Sequence, residues 1–245
     1  MQLLLAASLL LSPPAPATRD TVGDLWLQLR EVAQRLEQTP AMRAGWASFA
    51  AEEGLSEAAW PDYVRVRLAF EATRDGGLWG LRWDITNRAP DSTAVWAQWA
   101  KAAVPGPEDA APVTAIAECD ELSALFSLVA WKLGVDKVGL YWPTSNHTIA
   151  VWTAATPTGT TRINVPTSQI YLDDDQSLGT DVFDPYSQRN IYPYHRAADV
   201  SDDLALPPGL VAWMVQQASK VSQAPAELQR QRNARAREIQ HLRGG

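Results

Sequence analysis

Residues 117–135, AECDELSALFSLVAWKLGV, followed by 147–152, HTIAVW, and 162–165, RINV, decide the fold. Within residues 121–133 the apolar side chains Leu122, Leu125, Phe126 and Val129 recur at i, i+3, i+4 and i+7. That is the stripe of an amphipathic helix, and Gly134 stands where such a helix ends. Residues 138–142 and 148–152 then read as short strands joined by 143–146. A turn at 156–160, with Pro157 and Gly159, leads to a third strand at 162–165. Connections this short impose antiparallel pairing, because parallel strands need a long crossover. A helix followed by a meander is an α+β arrangement.

Working outward, the segment before this core predicts helices. Leu25, Leu27, Leu29, Val32 and Leu36 fall at helical spacing, and a second helix is predicted over 41–53, ended by Gly54. Residues 63–70, YVRVRLAF, suit a strand or a helix; 71–74 continue without a turn signal and favour helix. Asp91 and Ser92 offer an N-cap to a helix carrying Val95, Trp96 and Trp99. Region 18–103 is therefore expected to be mainly helical. A Pro-rich connector, 104–112, opens a core region spanning 104–206, and 207–245 reads as a C-terminal helix with a basic tail.

Composition narrows the function classes. The 245 residues carry 21 Lys and Arg against 28 Asp and Glu, a net charge of −7, which argues against a general nucleic-acid binder. Cys119 is the single cysteine, so a disulfide scaffold is excluded. Eleven Trp, six Tyr and four Phe supply more core than a disordered chain holds. Residues 1–17, MQLLLAASLLLSPPAPA, place a short apolar run before Ala15-Pro16-Ala17, the pattern of a secretory signal with a small-x-small cleavage site. The expected location is secreted or periplasmic. No later stretch holds 18 apolar residues, so an integral membrane protein is not expected. The acidic residues between 171 and 206 read as solvated loop, and Gly179 is out of register for a calcium loop.

Chemistry concentrates at Cys119, His147 and Asn164. Cys119 is placed at the start of the strongest helix, where unpaired N–H groups and the helix dipole favour a thiolate. His147 opens the second strand and Asn164 lies on the third. With 156–160 as the hairpin turn, His147 and Asn164 are expected near the same end, so that cysteine, base and orienting amide form a triad for covalent acyl transfer, with the Cys119 N–H as an oxyanion donor. Asp184, followed by Pro185, is the rival for the third position. Trp142 and Trp152 flank His147 and are candidates to line a substrate groove. One Cys and scattered His residues lack zinc-ligand spacing.

The segments AECDELSALFSLVAWKLGV, NHTIAVW and RINVPTSQ resemble the core of the transglutaminase-like superfamily, over residues 114–171. The resemblance implies a papain-like α+β fold and thiolate attack on peptide or isopeptide amides, without a metal or organic cofactor. It implies Cys119 as nucleophile, His147 as base and Asn164 as orienter, with a protein or peptide substrate. The third position departs from the family's Asp, and Glu118, Asp120 and Glu121 crowd the cysteine. Three carboxylates there raise a thiol's pKa unless they point away. A second reading follows from them: a transglutaminase-like binding or scaffold module without catalysis. Oligomeric state is left open.

Overall fold

In a computed structural model the chain is described at residues 20–86, 88, 90–106, 112–144, 147–168, 192–193, 199–224, 226–228 and 230–231. The segment read as a secretory signal, the acidic residues from Asp173 to Asp184 with the rival Asp184, and most of the basic tail lie outside these. Six α-helices and two small sheets make up an α+β chain among the described residues. The helices are α1 (Val22–Glu37), α2 (Pro40–Glu53), α3 (Trp60–Thr73), α4 (Thr93–Trp99), α5 (Cys119–Lys132) and α6 (Leu210–Ala218). Strands β3 (Val138–Thr144), β4 (His147–Thr156), β5 (Gly159–Val165) and β6 (Tyr192–Pro193) form an antiparallel sheet in the order β5-β4-β3-β6.

Local chemistry sets the helix ends. Thr21 and Asp24 form a reciprocal capping box at the start of α1. Thr39 and Pro40 open α2, and Gly54, at φ 65, closes it in the left-handed region that a residue without Cβ enters freely. Residues 63–70 are helical, inside α3. At α4 the Asp91 carboxylate accepts the Thr93 N–H at 3.0 Å. Ser92 does not cap with its side chain. Its buried hydroxyl instead donates to Asp199 and accepts the Trp96 indole N–H.

Region 18–103 is not helical throughout. Leu81–Trp83 forms β1, which pairs in parallel with β2, Ala115–Ala117, in the register Leu81↔Ala115 to Trp83↔Ala117. A three-residue strand is too short to show a period, and its partner lies across the connector. The acidic segment also differs from the solvated expectation: Asp199 is buried, and its carboxylate takes the Ser92 N–H, the Ser92 hydroxyl and the Thr93 hydroxyl. Asp202 accepts from the Trp26 indole and the Lys132 ammonium.

One apolar cluster joins α1–α5, both small sheets and α6. Tryptophans are its framework. Trp26, Trp96, Trp99 and Trp79 meet edge to face in sequence, with ring centroids 5.5, 4.9 and 5.7 Å apart. Each of these buried indoles has a partner for its N–H: Asp202, Ser92, Thr114 and the Met214 carbonyl, respectively. Helix α5 is almost wholly buried between α3 and the β3–β4 hairpin. Its polar residues Cys119, Ser123 and Ser127 recur every four positions and so share one face. Ser123 Oγ donates to the Thr148 carbonyl and Ser127 Oγ to the Gly139 carbonyl, which ties this seam to the strands.

Candidate active site

Cys119 is the first residue of α5 and only 7% exposed. The helix starts here because Glu118 and Glu121 form a capping box, with the Glu118 N–H on Glu121 Oε2 at 2.9 Å. Thr86, which follows β1, donates its N–H and hydroxyl to Glu118 Oε2 at 2.9 and 3.1 Å. The same hydroxyl lies 2.8 Å from Glu121 Oε2. The β1–β2 pair thus fixes the turn that delivers the cysteine to the sheet.

The backbone N–H groups of Thr148 and Asp120 lie near enough to the sulfur to favour its charged form. Thr148 directly follows His147, the buried first residue of β4. Burial pushes the Cys119 thiol above its ordinary pKa; the Thr148 N–H pulls the other way, and the charges of Asp120 and Glu118 push it up again. Donor atoms of Glu118, Cys119 and Asp120 lie within 4.8 Å of one another, so the carboxylates do not point away. Burial also raises the Asp120 carboxyl, to about 6, against the Glu121 N–H that it accepts at 2.9 Å. These three residues are the described ones whose donor atoms could close on one metal ion. Glu118 is held by Thr86 and Asp120 by the helix backbone.

The register of the sheet separates the third predicted residue from the second. Val151 pairs with Asn164, and Ala150 with Val165. Asn164 therefore stands four residues along β4 from His147, roughly 13 Å at the rise of a strand, beyond a direct side-chain hydrogen bond. Parity does place both on one face: Ala150, Trp152 and Ala154 enter the main core with α5, while His147, Val151 and Asn164 belong to the opposite face. Cys119 approaches β4 from the α5 side at Thr148, the residue after His147 and beyond Val165, where β5 has ended.

The tryptophans separate as well. Trp152 does not line a groove; it is fully buried, on the core face of β4, with its ring stacked on Phe49 at 6.5 Å. Trp142 belongs to β3, and its side chain lies outside the described residues. Sequence reasoning passed over the hydroxyls around the site. Ser123 Oγ lies 3.1 Å from Thr167 Oγ1 as well as bonding the Thr148 carbonyl, and Ser123, Thr148, Thr167 and Ser168 are all buried. The recurrence of Cys119, Ser123 and Ser127 along one face of α5 was the available signal. Comparison with protein-family models, with curated proteins and with solved structures finds no match for this chain.

Proposed function

We propose that the chain is an exported thiol hydrolase or acyltransferase of transglutaminase-like type, with a papain-like core, acting on peptide or isopeptide amides. The observation that carries the reading is the buried Cys119 at a helix start, its sulfur near the backbone N–H of Thr148, the strand residue next to His147. Cys119 rests as a neutral thiol. His147 acts as general base, taking the thiol proton as sulfur attacks the carbonyl, and later returns it to the leaving amine. Asn164 stands outside direct reach, so the working pair is Cys119 and His147. With p-nitrophenyl acetate the protein is expected to release p-nitrophenolate and carry a thioester on Cys119. Cys119→Ala and His147→Ala are each expected to reduce this to the uncatalysed rate with the fold intact. Full turnover in either variant would overturn the mechanism.

The raised thiol and its two neighbouring carboxylates favour the second reading, a binding module without catalysis. That reading is supported if the wild-type protein forms no thioester and a partner retained in pull-down is not released by Cys119→Ala.

A further inference from the structure

A cavity of about 910 Å³ lies between α6, the turn that enters β1 and the two ends of the Pro-rich connector, and neither Cys119 nor His147 lines it. Small-molecule sites run from roughly 300 to 1,000 Å³, so the space is of ligand size. Helix α6 turns Leu210, Val211, Met214 and Ala218 into the core. Its other face, with Ala212, Trp213, Gln216, Gln217 and Lys220 at i, i+1, i+4, i+5 and i+8, forms one wall of the cavity. From Gly209 to Lys220 that wall runs roughly 16 Å at the rise of a helix. Facing it, Gly76, Gly77 and Gly80 carry no side chain to fill the space. Val104 and Val113, 38% and 56% exposed, border the cavity, as does the half-buried Trp213. Apolar side chains left open to solvent in one concavity mark a binding surface, which singly scattered ones do not.

The charges on its walls are unbalanced. The Arg82 guanidinium makes no hydrogen bond or ion pair among the described residues. Lys220 Nζ donates to Gln217 Oε1 at 2.9 Å, which leaves two of its three donors. Asp75 is the one carboxylate among the described lining residues, and it accepts the Trp83 N–H at 2.7 Å. In a chain of net charge −7, two cations thus border an apolar cavity without matching acids. We propose that the cavity binds a free amphiphilic organic anion, its apolar body along α6 beside Trp213 and its acidic head on the unmatched cations. A neutral ligand of the same body leaves Arg82 and Lys220 unpaired, and a small anion leaves Trp213 and the two valines wet. The site is independent of the acyl-transfer reading.

Two dyes test both halves of the ligand. Anilinonaphthalene sulfonate is a fluorescent amphiphilic anion, and phenylnaphthylamine has the same rings without the charge. The wild-type protein is expected to bind one sulfonate per chain, saturably, with dodecanoate displacing it. Arg82→Gln with Lys220→Gln is expected to weaken the sulfonate about tenfold at low salt and leave the uncharged dye unchanged. Ala212→Trp fills the cavity from the α6 wall and is expected to exclude both dyes, and Val113→Asp, across from it, to repel the sulfonate. Ala212 and Val113 are exposed, so both variants are expected to unfold at the wild-type urea midpoint. Absence of saturable binding by the wild-type protein, or binding that survives both Ala212→Trp and Val113→Asp, overturns the site. Equal weakening of the two dyes by the paired Arg82 and Lys220 substitutions overturns its assignment to an anion.

Discussion

Ser123 Oγ lies 3.1 Å from Thr167 Oγ1, inside the protein and one helical turn below Cys119. The contact locks α5 to the segment leaving β5, because Ser123 also bonds the Thr148 carbonyl. Ser123→Ala leaves a buried carbonyl and a buried hydroxyl without this partner. It is expected to cost about 1–3 kcal/mol in urea unfolding. Ser123→Ala with Thr167→Val removes both hydroxyls, and the second substitution is expected to cost less than it does alone. Additive losses would show that the two hydroxyls do not act as a unit.

Asn164→Ala tests the register against the triad. Opposite Val151, Asn164 stands beyond hydrogen-bonding reach of His147. The substitution is expected to change the rate of Cys119 acetylation by less than about threefold, whereas His147→Ala abolishes it. A loss of about 100-fold or more in Asn164→Ala, the scale of a general acid–base contribution, would restore the triad and require a strand slip.

The reach of sequence reasoning follows the length of each signal. Helix α5 and the β3–β4–β5 meander were legible because Leu122, Leu125, Phe126 and Val129 mark a period and the sequence segments 143–146 and 156–160 between the apolar runs are short; Pro143 and Thr144 prove to belong to β3. The cysteine at the helix start followed from the same pattern. Register did not: His147 and Asn164 were placed together because a hairpin brings neighbouring strands side by side, but pairing at Thr156↔Gly159 counts back to Val151, not His147. Trp152 was misread because its position depends on strand parity, which puts it with Ala150 in the core. Neither the β1–β2 pair nor the Asp199 link to Ser92 was foreseeable, since both join short segments far apart in the chain.

Gly80 tests that unforeseen strand pair. Its φ is +70, and its carbonyl accepts the Thr114 N–H at 2.9 Å as the chain enters β2. A Cβ at this position would sit 2.1 Å from the Pro112 carbonyl oxygen. Gly80→Ala therefore combines a left-handed backbone with a backbone collision that no rotamer relieves. An expected loss of about 3 kcal/mol or more in thermal or urea unfolding follows, with slower Cys119 chemistry because Thr86 follows β1 and holds Glu118. A loss under about 1 kcal/mol would mean that β1 and β2 do not approach as closely as described.

Asp120 ties stability and reactivity to pH. Burial raises its carboxyl to about 6 from an ordinary 3.8, with the charges of Glu118 and Glu121 acting in the same direction and the Glu121 N–H against it. Between these values the folded chain binds more protons than the unfolded chain, so the Asp120 contribution becomes less favourable as pH rises from about 4 to about 6. Above 6 the cost is complete; below 4 it vanishes. Asp120→Asn keeps an oxygen for the Glu121 N–H and removes the charge. The variant is expected to gain about 1 kcal/mol at pH 8 and nothing at pH 3.5. The Asp120 charge also raises the Cys119 thiol, so the alkylation profile of Asp120→Asn is expected to move to lower pH, with faster labelling by iodoacetamide at pH 7. Measured side by side, urea midpoints and alkylation rates must shift together. A profile left where it was in the wild-type protein would show that the Asp120 charge does not reach the sulfur.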